Sequence, residues 1–167
     1  HGYENMQGLR AEISIIDVAG KIAAKSNSQI DKLGNMHSEQ NITDSKLWSP
    51  ESPYLYRVVT KLYSGDKLID ETTDKTGIRT ISVSADKGFM LNGISRKIQG
   101  VCLHHDLGPL GAAVNKAAII RQIRILKDMG CDAIRTSHNM PSTMQMEVCD
   151  SMGMMVMAES FDMWKYP

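Results

Sequence analysis

Side chains that bind polar ligands or move protons follow three short apolar segments in the second half of the chain. His104-His105-Asp106 comes after the first segment, Arg135 to Asn139 after the second, and Glu159 after the third. Imidazole, guanidinium and carboxylate groups supply hydrogen bonds, charge stabilisation and acid–base chemistry. The pattern therefore predicts one polar site assembled from the ends of several elements.

The histidine pair of the first cluster allows three interpretations. Two imidazoles and a carboxylate are possible metal ligands, but adjacent residues of an extended segment point to opposite sides, so His104 and His105 chelate one ion poorly. No metal site is predicted on this ground. One imidazole that binds a polar ligand and a structural pair satisfied by backbone groups are evenly balanced alternatives.

The second cluster, Arg135-Thr136-Ser137-His138-Asn139, ends an apolar strand. Arg135 follows Ile134, so alternation places its guanidinium on the opposite face, where it can orient carboxylates. His138 could contact hydroxyl groups or stabilise charge. The structural alternative is a polar turn that caps the next helix, with Asn139 as the N-cap.

The carboxylate of Glu159 is the acidic group of the third cluster. Cleavage of a glycosidic bond needs two carboxyl groups, one as acid or base and one as nucleophile or base. A single carboxylate after a strand is weak support for such chemistry.

The elements that position these clusters alternate between strands and helices. Asn115 is a good N-cap for a helix in which Ile119, Ile120, Ile123 and Leu126 form an apolar stripe. The order strand, helix, strand, helix, strand predicts parallel strands with right-handed crossovers. Polar clusters at strand ends are typical of a (β/α)8 barrel, and a doubly wound sheet stays the alternative because three strands do not separate the two.

Residues before about position 85 show only strand patterns. The expected strands alternate apolar and polar residues and are joined by turns; they cover Leu9 to Asp17, Lys21 to Ile30, Ile42 to Leu47, Tyr54 to Tyr63, Leu68 to Lys75 and Thr76 to Ser84. Two prolines exclude a central strand between Trp48 and Pro53. Short strands without helices predict an immunoglobulin-like β-sandwich.

The composition excludes several classes of protein. With 19 basic and 19 acidic residues among 167, no net charge attracts nucleic acid or an anionic membrane. No apolar run has the 18 or more residues of a membrane span. The first residues carry no signal peptide, which leaves cytoplasmic, periplasmic and secreted locations open. Cys102, Cys131 and Cys149 are widely spaced and are expected to be small buried residues.

The run from Asp132 to Asn139, followed by Cys149-Asp150-Ser151-Met152-Gly153 and apolar residues, resembles a signature of glycoside hydrolase family 2. Leu47 to Tyr56 is similar to a segment of the family's immunoglobulin-like domain, and Gly77-Ile78-Arg79-Thr80 to its last strand. Phe89 to His104 is similar to the entry to the family's barrel. These matches occur in order and cover most of residues 47 to 162.

The resemblance implies a retaining hydrolysis of β-linked glycosides, with β-galactosidase as the expected activity. It implies that His104 and His138 contact sugar, that Arg135 holds the carboxylate of the nucleophile, and that Glu159 and Asn139 support the site. The family's acid/base glutamate follows an asparagine, and this chain has no Asn-Glu pair. The catalytic glutamates are therefore expected outside these residues, as is any divalent cation that family members use, and no cofactor is predicted within them.

The predicted organisation is an immunoglobulin-like β-sandwich over residues 1–84 and the first three or so β/α units of a TIM (β/α)8 barrel over residues 85–167. A whole barrel takes about 250 residues, so these residues are expected to be an inactive fragment that associates through its open barrel edge. β-Glucuronidase and β-mannosidase are alternatives within the family. A carbohydrate-binding or interaction module without catalysis is the alternative from another class.

Overall fold

The computed structural model describes residues 8–162 and residue 165. The chain forms two compact units, and each unit combines two stretches of sequence. The first unit contains the residues up to Lys46 together with Leu55–Ile78. The second contains Leu47–Tyr54 together with the residues from Arg79 onward.

The first unit is built on a four-stranded antiparallel sheet. Its strands are β1 (Leu9–Ile16), β2 (Ile22–Gln29), β3 (Tyr56–Ser64) and β4 (Lys67–Thr76), in the order β2-β1-β3-β4. The alternation that predicted β1 is confirmed, with Ala11 buried in its centre. The turn between β1 and β2 is closed by Asp17, whose carboxylate accepts from the amides of Ala19 and Lys21. Four of the expected strands therefore form close to their predicted limits.

The long connection between β2 and β3 differs from the prediction. Ile42 to Leu47 is not a strand, because a turn reverses the chain at Asp44, which has a left-handed φ of +54°. The preceding polar residues bond through side chains instead of a ladder, as in the 2.6 Å contact between the hydroxyls of Ser26 and Ser38. Within the described residues the first unit thus contains one sheet, and the second sheet of a sandwich is not formed there.

The second unit contains the predicted parallel sheet. Its elements are β8 (Gly100–Leu103), α1 (Lys116–Asp128), β9 (Ala133–Thr136), α2 (Thr143–Met152) and β10 (Met155–Met157). The strands lie in the order β10-β9-β8 and both pairs are parallel. The core holds the predicted stripe of α1 together with Ile134 of β9 and Val148 of α2. Ile123 is fully buried at its centre.

Both helices begin at a side-chain cap. Asn115 caps α1 as predicted, because its side-chain oxygen Oδ1 accepts from the amide of Ala118 at 3.0 Å. The N-cap of α2 is Ser142, whose hydroxyl accepts from the amide of Gln145, so the prediction of Asn139 as N-cap is wrong. An N-cap at position 139 would require Met140 to be helical, and the residue before a proline disfavours that conformation.

A small antiparallel sheet precedes the parallel one. It contains β5 (Ile81–Ser84), β6 (Gly88–Leu91) and β7 (Ile94–Ser95), and the hairpin of β6 and β7 turns at Asn92-Gly93. Thr76 to Ser84 was expected to close the first set of strands, but β5 pairs with β6 in the second unit. The Asn92 side chain fixes this pairing by accepting from the amide of Thr80. The boundary at residues 84 and 85 stays a prediction.

The stretch from Leu47 to Tyr54, named the 47–54 segment, packs against the rest of the second unit. The indole of Trp48 is buried and donates to the carbonyl of Asp150 at 2.8 Å. Arg96 donates both to Glu51, at 2.7 Å, and to Asp132, at 2.8 Å. Burial of Trp48 and the ion pair of Glu51 with Arg96 therefore hold this segment, and it forms no central strand, as predicted from its prolines.

Candidate functional site

The parallel sheet presents different side chains on its two faces. Val101, Ile134 and Val156 are register partners that pack against the helices. The neighbouring row, Cys102, Arg135 and Met157, lies on the opposite face because side chains alternate along a strand. This face borders a cavity of about 540 Å³. Arg135 therefore lies on the face that the sequence pattern indicated.

Glu159 joins the second and third predicted clusters. One carboxylate oxygen, Oε1, accepts a hydrogen bond from Nε of Arg135. The other, Oε2, lies 2.8 Å from Nδ1 of His138. The side chain of Glu159 is 22% exposed and that of Arg135 is 42% exposed, so the cluster is reached by solvent from the guanidinium side.

Two hydrogen bonds fix the strand ends that carry these side chains. The hydroxyl of Thr136 accepts from the backbone amide of Glu159 at 3.0 Å, which ties the residues after β10 to β9. The amide of Ser137 donates to the carbonyl of Leu103 at 2.9 Å, which extends the contact between β8 and β9. The peptide bond between Ser137 and His138 is cis. These two bonds join the ends of β8 and β9 to the residues that follow β10.

The charges of the cluster support one another. Burial raises the pKa of Glu159, but the hydrogen bonds from His138 and Arg135 together lower it by more. The pKa of Glu159 therefore lies below its ordinary value. The same ion pair raises the pKa of Arg135. Glu159 is therefore an anion at neutral pH, and an ionised carboxylate only accepts hydrogen bonds.

The two predicted sugar-contacting histidines lie together. Because Glu159 is an acceptor, Nδ1 of His138 carries the hydrogen of their bond, which fixes the tautomer of the ring. The ring of His104 packs edge-on against that of His138, with centroids 5.8 Å apart and planes at 79°. Imidazole and guanidinium groups side by side provide donors and acceptors for hydroxyl groups.

The structure thus brings together four of the five predicted site residues: His104, Arg135, His138 and Glu159. The fifth, Asn139, is exposed, and its backbone amide donates to the carbonyl of Thr136. The roles that the resemblance implies for these residues stay predictions.

Two contributors were missed by the sequence analysis. Thr136 was treated as part of a polar run, although its hydroxyl holds Glu159 in place. Cys102 was expected to be buried, but it is exposed, with Sγ 3.7 Å from Nη1 of Arg135. The signal for Cys102 was its position two residues before His104, on the same face of the strand.

Among the residues that the structure describes, no three histidine, cysteine, aspartate or glutamate side chains are grouped closely enough to hold a metal ion. No helix in residues 8–162 has the length and apolar character that crossing a membrane requires.

Both halves of the chain match known protein families. Residues 3–79 match the model described as "Glycosyl hydrolases family 2". Residues 81–163 match the model described as "Glycosyl hydrolases family 2, TIM barrel domain". The parallel sheet is therefore the start of a TIM barrel domain, preceded by an immunoglobulin-like domain.

Individual relatives agree with the family models. The chain is 46% identical over 156 residues to a β-galactosidase of Bacteroides ovatus, covering 91% of this chain and 18% of that one. It is 39% identical over 158 residues to a putative β-glucuronidase of Formosa agariphila, covering 95% and 15%. A β-glycosidase structure from Bacteroides vulgatus superposes with a TM-score of 0.87 at 37% identity, covering 98% and 21%.

The chain thus spans about a fifth or less of the length of these relatives. The predicted resemblance is confirmed, since ordered family matches extend over nearly the whole sequence. The chain belongs to glycosyl hydrolase family 2.

Proposed function

We propose that this chain forms part of a retaining β-glycosidase that acts on β-galactosides. The observation that carries the proposal is the cluster in which Glu159 binds both Arg135 and His138 at the carboxyl ends of β9 and β10. Active sites of TIM barrels lie at this end of the strands. The 46% identity to a β-galactosidase supports the choice of sugar.

In this proposal Glu159 orients the site and does not carry out the chemistry. A general acid must hold a proton near the working pH, and the lowered pKa of Glu159 keeps it ionised there. A nucleophile needs a free oxygen, and both oxygens of Glu159 have cationic or hydrogen-bonding partners. The carboxylate instead fixes the guanidinium of Arg135 and the tautomer of His138.

Arg135 and the two histidines are then the groups that face the reacting sugar. Nη1 and Nη2 of Arg135 extend beyond the bond that Nε makes to Glu159, and we assign them to the carboxylate of the nucleophile. The imidazole rings of His104 and His138 are assigned to sugar hydroxyls. Hydrogen bonds to a hydroxyl that strengthen as charge develops favour the transition state.

The two catalytic carboxyl groups are proposed to come from outside residues 1–167. We take β8, β9 and β10, with α1 and α2, as the beginning of the eight β/α units of a barrel. A retaining mechanism places its two carboxyl groups roughly 5 Å apart, and the sequence lacks the Asn-Glu pair of the family's acid/base residue. We therefore expect the isolated 167 residues to hydrolyse no glycoside.

Two assays test these statements separately. The pure chain is incubated with nitrophenyl β-galactoside, and any turnover that copurifies with the protein would contradict its inactivity. This chain then replaces the matching 156-residue segment within the Bacteroides ovatus β-galactosidase, and kcat/KM is measured on the chimera. We expect the chimera to cleave the galactoside.

Variants of the chimera test the role of Glu159. Glu159→Gln keeps the shape but loses the charge that holds Arg135 and His138, so kcat/KM should fall about 100-fold, the cost of misplacing reacting groups by about 1 Å. Glu147→Gln, at an exposed position of α2, makes the same chemical change away from the site and should have little effect. Equal activity of the two variants would refute the positioning role.

A β-glucuronidase is the second candidate, because the chain is 39% identical to a putative β-glucuronidase. The chimera alone cannot separate the two, since its remaining residues come from a galactosidase. Exchange into the Formosa agariphila protein gives the complementary chimera. If this chain carries specificity for galactosides, the ratio of galactoside to glucuronide cleavage should rise in that protein.

A further inference from the structure

Cys102 is exposed and lies beside a cation. It belongs to β8 and is the register partner of Arg135 on the face of the sheet away from the helices. Nη1 of Arg135 is 3.7 Å from Sγ of Cys102. A guanidinium at this distance favours the thiolate over the neutral thiol.

A second, independent feature is the hydroxyl of Ser137. Ser137 is 2% exposed, and its Oγ has no hydrogen-bond partner among the described residues. The bond from its amide to the carbonyl of Leu103 places it next to the end of β8. A buried hydroxyl without a partner is costly, and a thiolate at position 102 would supply the missing acceptor.

These neighbours act on the thiol in the same direction. The Ser137 hydroxyl and then the Arg135 guanidinium lower the pKa of Cys102, and they outweigh burial and the charge of Glu159, which raise it. The thiolate is the nucleophilic form of cysteine, so its share at neutral pH sets the rate of reaction.

The other two cysteines provide references within the same molecule. Cys149 is buried in the helical core, and burial raises its pKa from 9.0 to about 12. That rise reduces its thiolate content about a thousandfold. Cys131 is partly exposed, so it reports the reactivity of an accessible thiol elsewhere in the fold.

We propose that Cys102 is a covalent modification site that reacts selectively with soft carbon electrophiles. Sγ attacks the electrophilic carbon, a carbon–sulfur bond forms, and the leaving group departs with the bonding electrons. With iodoacetamide the leaving group is iodide, and the thiol proton has already passed to water. The modification removes the contact between Cys102 and Arg135, and it does not depend on the glycosidase activity proposed above.

The test is the pH dependence of alkylation at each cysteine. The native chain and the chain unfolded in guanidinium chloride are treated with iodoacetamide between pH 5 and pH 10, and adducts on peptides are quantified by mass spectrometry. We expect Cys102 to be alkylated with a lower pH midpoint in the native chain than in the unfolded one. Cys149 should stay unmodified in the native chain throughout.

Three variants distinguish an electrostatic effect on the Cys102 thiol from partial unfolding of the chain. Ser137→Ala and Arg135→Gln should each raise the midpoint of Cys102 toward that of the unfolded chain. Glu159→Gln should lower it, because the repelling carboxylate charge is removed. Continued protection of Cys149 shows that a variant is folded, and Glu159→Gln keeps the test valid if another variant unfolds.

The proposal is overturned if native Cys102 has the same midpoint as the unfolded chain. It is also overturned if all folded variants shift the midpoint in the same direction. The proposal requires that removing the cation of Arg135 and removing the anion of Glu159 shift the midpoint in opposite directions. Faster alkylation of Cys131 than of Cys102 at neutral pH would exclude selectivity.

Discussion

Replacement of Gly153 by alanine is a sharp test of how the 47–54 segment packs. Gly153 ends α2 in the left-handed conformation, with φ of +71°, and its amide donates to the carbonyl of Cys149. A β-carbon added there would lie 2.4 Å from the carbonyl oxygen of Pro50. That oxygen also accepts from Nζ of Lys127 at 3.0 Å, so it cannot move without disturbing α1.

The cost of Gly153→Ala has two parts. The left-handed backbone costs a residue with a β-carbon about 1–2 kcal/mol. Displacement of the Pro50 carbonyl is a case of overpacking, which costs about 1–3 kcal/mol. The free energy of unfolding should therefore fall by about 2–5 kcal/mol, a large part of the 5–15 kcal/mol of an ordinary domain.

Gly130→Ala is the matched control. Gly130 follows the end of α1 with φ of +90°, and an added β-carbon there meets nothing within 4 Å. This variant should lose only the conformational part, about 1–2 kcal/mol. Urea unfolding followed by circular dichroism at 222 nm measures both, because the two α-helices of the described chain belong to the second unit.

The difference between the two variants isolates the Pro50 contact. We expect Gly153→Ala to be the less stable by about 1–3 kcal/mol. Equal losses would show that the Pro50 carbonyl does not press on the end of α2, and the packing of the 47–54 segment described above would then be wrong.

Three further measurements follow from the charges and surfaces of the chain. Because the pKa of Glu159 is lowered, its ion pair with Arg135 stabilises the fold above pH 4.5, and this stability is lost as pH falls through the folded pKa. The chemical shift of the Glu159 carboxyl carbon in NMR should titrate with a midpoint below pH 4.5. In Arg135→Gln the midpoint should lie closer to 4.5. Arg96 lowers the pKa of Glu51 to about 2, so the deficit of Glu51→Gln in urea unfolding should be present at pH 7 and shrink between pH 4.5 and 2; the exposure of Glu51 limits it to about 1 kcal/mol or less. The apolar face that borders the cavity should make the chain dimeric or larger, as measured by light scattering. Met157 lines the cavity and is 58% exposed, so Met157→Lys should shift the chain toward the monomer. A clean monomer at high concentration would count against this association.

Local patterns were sufficient to predict the main elements. The alternation of β1 and the spacing of Ile119, Ile123 and Leu126 depend on neighbouring residues, and both appear as expected. Asn115 was recognised as a cap for the same reason. The order of elements then predicted the parallel sheet, because right-handed crossovers leave few other arrangements.

Contacts between distant residues were beyond such patterns. The partnership of Cys102 with Arg135 depends on the register of two strands about 30 residues apart, and a shift of one residue would place them on opposite faces. The bond between Glu159 and Thr136 likewise depends on how β10 pairs with β9. The sequence identified which strand ends carry polar residues, and the register decided which of them meet.

The bond from Trp48 to Asp150 has a consequence for synthesis of the chain. The two residues are 102 positions apart, and the intervening sequence includes strands of the first unit. At about 5–20 residues per second, a ribosome delivers Asp150 about 5–20 s after Trp48. Throughout that interval the indole lacks its final site and is open to solvent or to temporary contacts. The second unit therefore closes late, and a nascent chain stalled before residue 150 would expose a tryptophan that the finished chain buries.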